Sequence, residues 1–373
     1  MNILVFSWRD PKHPFAGGAE QVMHEHMKGW IEAGHSVTLF SSYYKKAKRE
    51  ESFNKIKIIR RGVSLLGVQI LGFIYYLRKG KRYDLIIDEF HGIPFFTPLY
   101  VKKPKMAVLQ EVAREVWFLN HFPLPLNYFI GLAGYLFEPL VYFLYRKVDF
   151  MVGSNSAKKD LIKMGIPFQK VTVVPHGVIV NYPKSFPPKE KIKTIVFLGA
   201  LAKDKGIEEA IKVFYLLSKK DKYQFWVIGK GGRKYLPKLF SLCERLGVKS
   251  KITFWGYVDQ KIKFDLLARS HVFINPSIRE GWGLVNIEAN AMGVPIVAFN
   301  SPGLIDSVKN NVSGLIVKKN TPGELAKEIE KLFNNPSLLR KLHEGALRWS
   351  KRFSWSISRQ LSLKLISRIA NSD

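Results

Sequence analysis

Short runs of consecutive apolar, β-branched residues recur along the chain, each followed by a glycine-marked loop and a stretch with apolar residues three and four apart. In the first half Asn2–Ser7, Ser36–Phe40, Tyr83–Asp88, Met106–Leu109 and Val148–Ser154 read as buried strands. In the second half Thr194–Gly199, Gln224–Gly229, His271–Asn275 and Val294–Phe299 read the same way. Between the first two strands lie a loop, Trp8–Gly18, and a helix, Ala19–Ala33, ended by Gly34. A second helix starts near Ile207, and a third runs from Leu284 to Met292 and closes on Gly293. This strand–loop–helix alternation predicts doubly wound parallel sheets. Val148–Ser154 is the last clear strand of the first half, the Pro- and Lys-rich Asn181–Lys193 is the linker, and Pro322–Phe333 and Ser337–Ile369 are the closing amphipathic helices. With 373 residues the chain is long enough for two such domains, each with its own core.

The chemistry concentrates in Pro276–Pro295. Gly281 and Gly283 let backbone approach a ligand and leave the N–H groups of the following helix start open to an anion. Glu280 and Glu288 frame that loop, and a carboxylate suits paired hydroxyls. Phosphate and hydroxyl recognition together fit a nucleotide-sugar, while taken singly Glu288 is equally an ordinary solvated helix carboxylate and Gly281 and Gly283 equally the makers of a plain turn. Gly17 and Gly18, at the first helix start, either approach a phosphate or shape a plain turn. They do not form the six-residue glycine pattern of dinucleotide folds, and Gly229–Gly232 lacks the ending of a P-loop.

The Glu280-x7-Glu288 spacing with its aromatic-bearing glycine loop resembles the donor site of retaining glycosyltransferases of family 4, over most of the chain and most strongly from Thr194 to Val317. The resemblance implies a GT-B α/β fold, two doubly wound Rossmann-like domains facing a central cleft. An acceptor-side domain over 1–180, joined by a C-terminal helix 352–373, would face a donor-binding domain over 181–351. Glu280 would hold donor-sugar hydroxyls beside the backbone of Gly281, Trp282, Gly283 and Leu284, with Glu288 on the ribose. The family's diphosphate lysine is matched by Lys205, but Ala200 stands where its arginine is expected, leaving Lys203 as the substitute. The histidine that commonly follows the Met106–Leu109 strand is replaced by Gln110, whose amide still hydrogen-bonds a sugar hydroxyl. Gly17 and Gly18 match the loop that faces the donor phosphates and the acceptor, and Ile252–Val258 resembles the nucleobase stretch. The implied activity is retaining transfer of a mannose- or glucose-type hexose from a UDP- or GDP-linked donor. No metal or other cofactor is required by this reading, and no Asp-x-Asp motif offers a metal site. A sugar-nucleotide epimerase on the same fold is the alternative enzyme.

Charge changes the expected partner. The formal net charge is +29, with lysines spread over both halves, a field that attracts anionic lipid, phosphorylated substrates or nucleic acid. Val63–Leu77, between Arg60-Arg61 and Arg78–Arg82, and the aromatic Phe122–Tyr145, followed by Arg146-Lys147, read either as core helices or as interfacial helices on an anionic membrane. Together with the charge they favour a lipid-linked phosphate or glycan acceptor at the cytoplasmic membrane face, with His91 and Arg114 as acceptor-side candidates. No secretory signal fits Met1–Asp10, and the single cysteine, Cys243, sits in an apolar helical pattern that suits a buried thiol in a reducing compartment. The expected location is cytoplasmic, peripheral on the inner face of the membrane. A nucleic-acid-binding protein is the rival of another class, and no compact basic-aromatic module supports it.

Overall fold

The computed structural model describes residues 1–373 apart from 64–65, 91, 121, 179–184 and 372–373. The chain divides into two compact units, Met1–Gly177 with Trp355–Asp373, and Val178–Ser354. His91 and the start of the expected linker lie outside the described residues.

Unit 1 runs β1 (Asn2–Phe6), α1 (Gly18–Glu32), β2 (Ser36–Ser41), β3 (Glu50–Phe53), β4 (Ile56–Arg60), α2 (Gly67–Lys79), β5 (Leu85–Phe90), β6 (Lys105–Leu109), α3 (Leu126–Leu144), β7 (Asp149–Val152), α4 (Asn155–Lys163) and β8 (Val171–Val173). The sheet order is β3-β4-β2-β1-β5-β6-β7-β8, parallel except for the β3–β4 pair. Both faces are covered by helices, which is why its strands are nearly continuous apolar runs. The order reverses between β1 and β5.

Unit 2 runs β9 (Lys193–Leu198), α5 (Ile207–Ser218), β10 (Tyr223–Ile228), α6 (Leu236–Arg245), β11 (Ile252–Gly256), α7 (Gln260–Arg269), β12 (Val272–Asn275), α8 (Leu284–Ala291), β13 (Ile296–Ala298), α9 (Leu304–Ser307), β14 (Gly314–Ile316), α10 (Pro322–Asn334) and α11 (Pro336–Ser350). Its sheet, β11-β10-β9-β12-β13-β14, is parallel throughout and reverses between β9 and β12. Cys243 is buried in this unit's core.

A last helix, α12 (Trp355–Ala370), belongs to unit 1 and packs along α1. Leu365, Ile366 and Ile369 join Met23, Met27 and Trp30 in one apolar cluster. The Trp30 indole N–H donates to Ser362 Oγ at 3.1 Å, and Arg359 pairs with Glu25 and, at 3.0 Å, with Glu32. Gly29 permits that approach, since a methyl there would lie 2.8 Å from the Arg359 stem.

Two sequence expectations need correction, and one element went unread. Val148–Ser154 is not the last strand of the first half, because β8 pairs with β7 at the sheet edge. The β3–β4 hairpin escaped the apolar pattern. Its charges are satisfied locally: buried Arg60 binds Asp10 at 2.7 Å and Glu51 at 2.6 Å. Ser337–Ile369 is not one helix but α11 and α12, broken over 351–354. One helix cannot serve both faces, since α11 packs on α8 and α12 on α1. Phe353 sits in the break, with ring centroids 5.1 Å from both Trp282 and Trp349.

The two apolar stretches contribute helices, α2 from Gly67 onward and α3 over Leu126–Leu144. α3 continues through Pro139, and its stripe of Phe129, Leu136, Leu140 and Phe143 is more than half exposed. No helix among the described residues is long and apolar enough to cross a membrane.

Candidate functional site

Ligands of open parallel sheets sit outside the carboxyl ends of the strands where the strand order reverses. In unit 2 that point is the end of β9 and β12, from which the loops 199–206 and 276–283 emerge. The two loops hold each other. The Ile278 N–H donates to the Asp204 carbonyl at 2.9 Å. Gly206, at φ +71°, lies so close to the Pro276 carbonyl that no Cβ fits between them. On the other side the Glu280 N–H donates to the Pro302 carbonyl at 3.1 Å, and Gly303 leaves no room for a Cβ against the Glu280 carbonyl.

Lys205 and Glu280 meet here. Lys205 Nζ lies 3.0 Å from Glu280 Oε1 and 3.6 Å from an Asp204 carboxylate oxygen, and Ser277 Oγ donates to Glu280 Oε1 at 2.9 Å. Glu280 is thus a fixed, partly open carboxylate, with the Lys205 cation held against it from the neighbouring loop. Gly283 caps α8 at φ +89° with no side-chain hydrogen bond to the helix end; the Asn286 N–H turns back to the Gly283 carbonyl at 3.0 Å, so the earliest N–H groups of the helix are the ones available to an anion. Lys203 is exposed on the same loop.

Under the loop lies a buried amide network that sequence reasoning missed. Asn275 Nδ2 donates to Asn286 Oδ1 at 2.8 Å, Asn286 Nδ2 to Ser307 Oγ at 2.9 Å, and Ser307 Oγ to the Gly303 carbonyl at 3.0 Å. Asn275 Oδ1 accepts the Ser277 N–H at 3.1 Å. The signal was present as two asparagines at buried positions of an apolar strand and helix. Trp282 also differs from a pocket-lining residue: its ring is buried edge-on against Phe353, leaving its backbone to the loop. Glu288, on α8, is bound through Oε1 by Lys263 Nζ of α7 at 2.8 Å.

The remaining candidates belong to unit 1. Gly17 caps α1, but its N–H is taken by Glu20 Oε2 at 2.6 Å, while Glu20 Oε1 accepts Arg9 Nε at 2.7 Å. Gly18 opens the helix. Gln110, at the end of β6, has Oε1 3.2 Å from His176 Nε2, and its own Nε2 has no hydrogen-bond partner among the described residues. His176 is fully buried against Trp355, and burial lowers its pKa to about 4, so its ring is neutral. His176 carries no signal of its own in the sequence, because its pairing with Gln110 is a long-range contact. Arg114 follows β6 at φ +43° with its guanidinium 4.8 Å above the Tyr135 ring of α3. Buried Glu138, also on α3, accepts the Ala113 and Arg114 N–H groups at 2.8 and 2.9 Å.

Two parallel α/β units with glycine loops at a strand reversal define the GT-B class of glycosyltransferase folds. Solved structures agree over essentially the whole chain. Sucrose-phosphate synthase from Thermosynechococcus elongatus superposes with a TM-score of 0.81 at 18% identity, covering 100% of both chains. The lipopolysaccharide-biosynthesis glycosyltransferase WaaG gives 0.75 at 16%, again covering 100% of both. HepE from Anabaena, solved with UDP and glucose, gives 0.75 at 18%, over 99% of this chain and 100% of that one. The Glycosyltransferase Family 4 model matches residues 16–182 and the Glycosyl transferases group 1 model residues 179–349. The chain belongs to the family 4, group 1 glycosyltransferases. Among curated relatives, an uncharacterised glycosyltransferase of Methanocaldococcus jannaschii is 27% identical over 51% of this chain and 52% of its own length. The capsular polysaccharide biosynthesis glycosyltransferase CapM of Staphylococcus aureus is 32% identical over 56% and 55%. The chain spans about half the length of these curated relatives. The epimerase reading draws no support from these matches.

Proposed function

We propose that the chain is a retaining hexosyltransferase that takes its sugar from a UDP- or GDP-linked donor bound by unit 2. The observation that carries this is the pairing of Lys205 with Glu280 beside the uncapped start of α8, at the strand reversal of unit 2. Lys205, with Lys203 and the N–H groups of Leu284 and its neighbours, neutralises the diphosphate and stabilises the charge that develops as it departs. A diphosphate on Lys205 takes over from Glu280, which is then released to accept donor-sugar hydroxyls alongside the backbone of Gly281, Trp282 and Gly283. Glu288 receives the ribose hydroxyls through the oxygen that Lys263 leaves open. Gln110 offers its unpartnered amide to the transferred sugar. This chemistry calls for no metal or other cofactor. HepE, bound with UDP and glucose, supports a nucleotide diphosphate donor for this fold.

The acceptor belongs to unit 1, and we place it on a lipid-linked glycan or phosphate at the inner face of the cell membrane. α3 supports that reading with a lengthwise apolar stripe followed by Arg146 and Lys147, while Ile70 and Leu77 are more than half exposed on α2, which ends at Arg78-Lys79. Contiguous apolar surface rimmed by cations fits an anionic bilayer.

Calorimetry with UDP, GDP and their hexose conjugates tests the donor site. One nucleotide binds the wild-type protein, and Lys205→Met and Glu288→Ala each weaken it by about tenfold, the loss expected for a charge-assisted contact. Absence of binding by every nucleotide, or full affinity in both variants, overturns the donor assignment.

A further inference from the structure

The break over 351–354 sets one aromatic ring against the donor loop. α11 ends at Ser350 and α12 begins at Trp355, and the Arg352 and Phe353 N–H groups turn back to the Trp349 and Ser350 carbonyls, each at 3.1 Å. That turn fixes the Phe353 backbone. Its ring lies edge-on to Trp282, centroids 5.1 Å apart and planes at 68°, and edge-on to Trp349, 5.1 Å away at 77°. Neither Phe353 nor Trp282 belongs to the main apolar cluster of unit 2, so the two rings do not meet as members of its core.

The loop 276–283 is held in two ways. Asn275, Asn286 and Ser307 hold it by hydrogen bonds from beneath, and Phe353 holds the Gly281–Gly283 turn through Trp282. Both attachments lead to Ser307, because the Trp349 indole N–H donates to the Ser307 carbonyl at 2.8 Å. Trp282 stands between two glycines, so its ring is the one side chain by which packing can fix that turn. A ligand hydrogen-bonded to this backbone and a ring packed on Trp282 therefore act on the same dihedral angles. Phe353 has one more connection: its carbonyl accepts the Val178 N–H at 3.4 Å. The chain enters unit 2 at Val178 and leaves it after Ser354, so the entering and leaving segments meet at the residue whose ring touches the donor loop.

We propose that Phe353 is a positioning residue of the donor loop, locking the Gly281–Gly283 backbone through Trp282 and making the 351–354 break respond to a nucleotide-sugar bound there. The inference rests on the donor reading and deepens it: ligand binding and the order of the break are linked, and each favours the other by the same factor.

Hydrogen exchange and calorimetry on the full chain test it, with UDP, GDP, UDP-glucose and GDP-mannose as probes. In the wild-type protein the nucleotide-sugar that binds slows exchange over 351–354 as well as over 276–284. Phe353→Ala weakens that ligand by about fivefold, the worth of an edge-on ring pair, and abolishes the response at 351–354. Phe353→Tyr, which keeps the ring, stays within about twofold and keeps the response. A merely structural role would lower Tm without uncoupling the break from the ligand. Trp282→Leu combined with Phe353→Ala loses less than the product of the two single effects, because the ring contact is lost only once. The proposal is overturned by a bound nucleotide-sugar that leaves 351–354 unchanged, by full affinity in Phe353→Ala, or by independent effects in the double variant. If no nucleotide binds, exchange without ligand decides. Faster exchange over 276–283 in Phe353→Ala, by about fivefold, then upholds the positioning role while the donor assignment alone falls, and unchanged exchange overturns it. Should Phe353→Ala fail to fold, Phe353→Leu keeps the apolar bulk, loses the ring pair and gives the same decision through a loss of about twofold or more.

Discussion

Asn286→Ala removes the centre of the network beneath the Glu280 loop, and the structure sets its magnitude. Asn286 is fully buried, accepting from Asn275 and donating to Ser307. Truncation leaves Asn275 Nδ2 as a buried donor without an acceptor, which costs about 1–3 kcal/mol. Ser307 keeps its bond to the Gly303 carbonyl, so its loss is smaller, and the vacated volume adds about 1 kcal/mol. The expected loss is about 3 kcal/mol in unit 2, within the roughly 5–15 kcal/mol by which a domain is stable. Unit 2 therefore still folds, but Asn275 no longer fixes the Ser277 N–H and the loop loosens. Because two units need not unfold together, hydrogen exchange resolved over β12, 276–283 and α8 is the suitable assay, with nucleotide calorimetry alongside. Protection across the segment should fall by about a hundredfold, the equivalent of roughly 3 kcal/mol. The double variant Asn275→Leu/Asn286→Ala should lose less than the sum of the two single variants, because the bond between the two amides is lost only once, although Asn275→Leu also leaves the Ser277 N–H without its acceptor. Protection within about threefold of wild type, or simple additivity in the double variant, would refute the claim that this pair holds the loop.

Two further outcomes follow from unit 1. Leu136→Ser combined with Leu140→Ser, both on the exposed stripe of α3, should abolish sedimentation with phosphatidylglycerol vesicles at low salt while leaving nucleotide affinity unchanged; equal sedimentation by the variant removes α3 as the contact. Acid stability should depend on His26 and His176, whose burial lowers them to about 3 and about 4. Above pH 6.5 both states hold neutral rings and stability is complete. As pH falls below 6.5 the unfolded chain takes protons that the folded one refuses, and by pH 4.5 each histidine costs roughly 3 kcal/mol. His26→Leu should flatten the fall of Tm between pH 6.5 and 4.5, and an unchanged slope sinks this account.

Much of the fold was legible because its strands are buried on both faces. Asn2–Phe6 and Val272–Asn275 need no partner to be recognised, since an unbroken apolar run fits little else at that length. Gly34 and Gly293, both at positive φ, mark helix ends for a reason internal to the backbone. Where stability comes from pairing, the sequence was silent. Arg60, Asp10 and Glu51 look like surface charges until the fold brings them together. The break at 351–354 is invisible because α11 and α12 are amphipathic on either side of it, and only their different partners require it. In the site, the Glu280–Gly283 loop was legible as a motif. Phe353 was not: it follows α11 as an ordinary aromatic residue, and its contact with Trp282 joins segments far apart in the chain.

The place of α12 also sets an order of assembly. Unit 2 is an insertion between Gly177 and Trp355, so the chain interrupts unit 1 and completes it afterwards. During synthesis the apolar side of α1, with Met23, Met27 and Trp30, waits for Leu365, Ile366 and Ile369 while all of unit 2 emerges and folds. The half of the protein made first is thus the half finished last. Until Trp355–Ala370 docks, unit 1 carries an open apolar seam along α1 in addition to the exposed face of α3, and that interval is when the nascent protein most needs protection from aggregation.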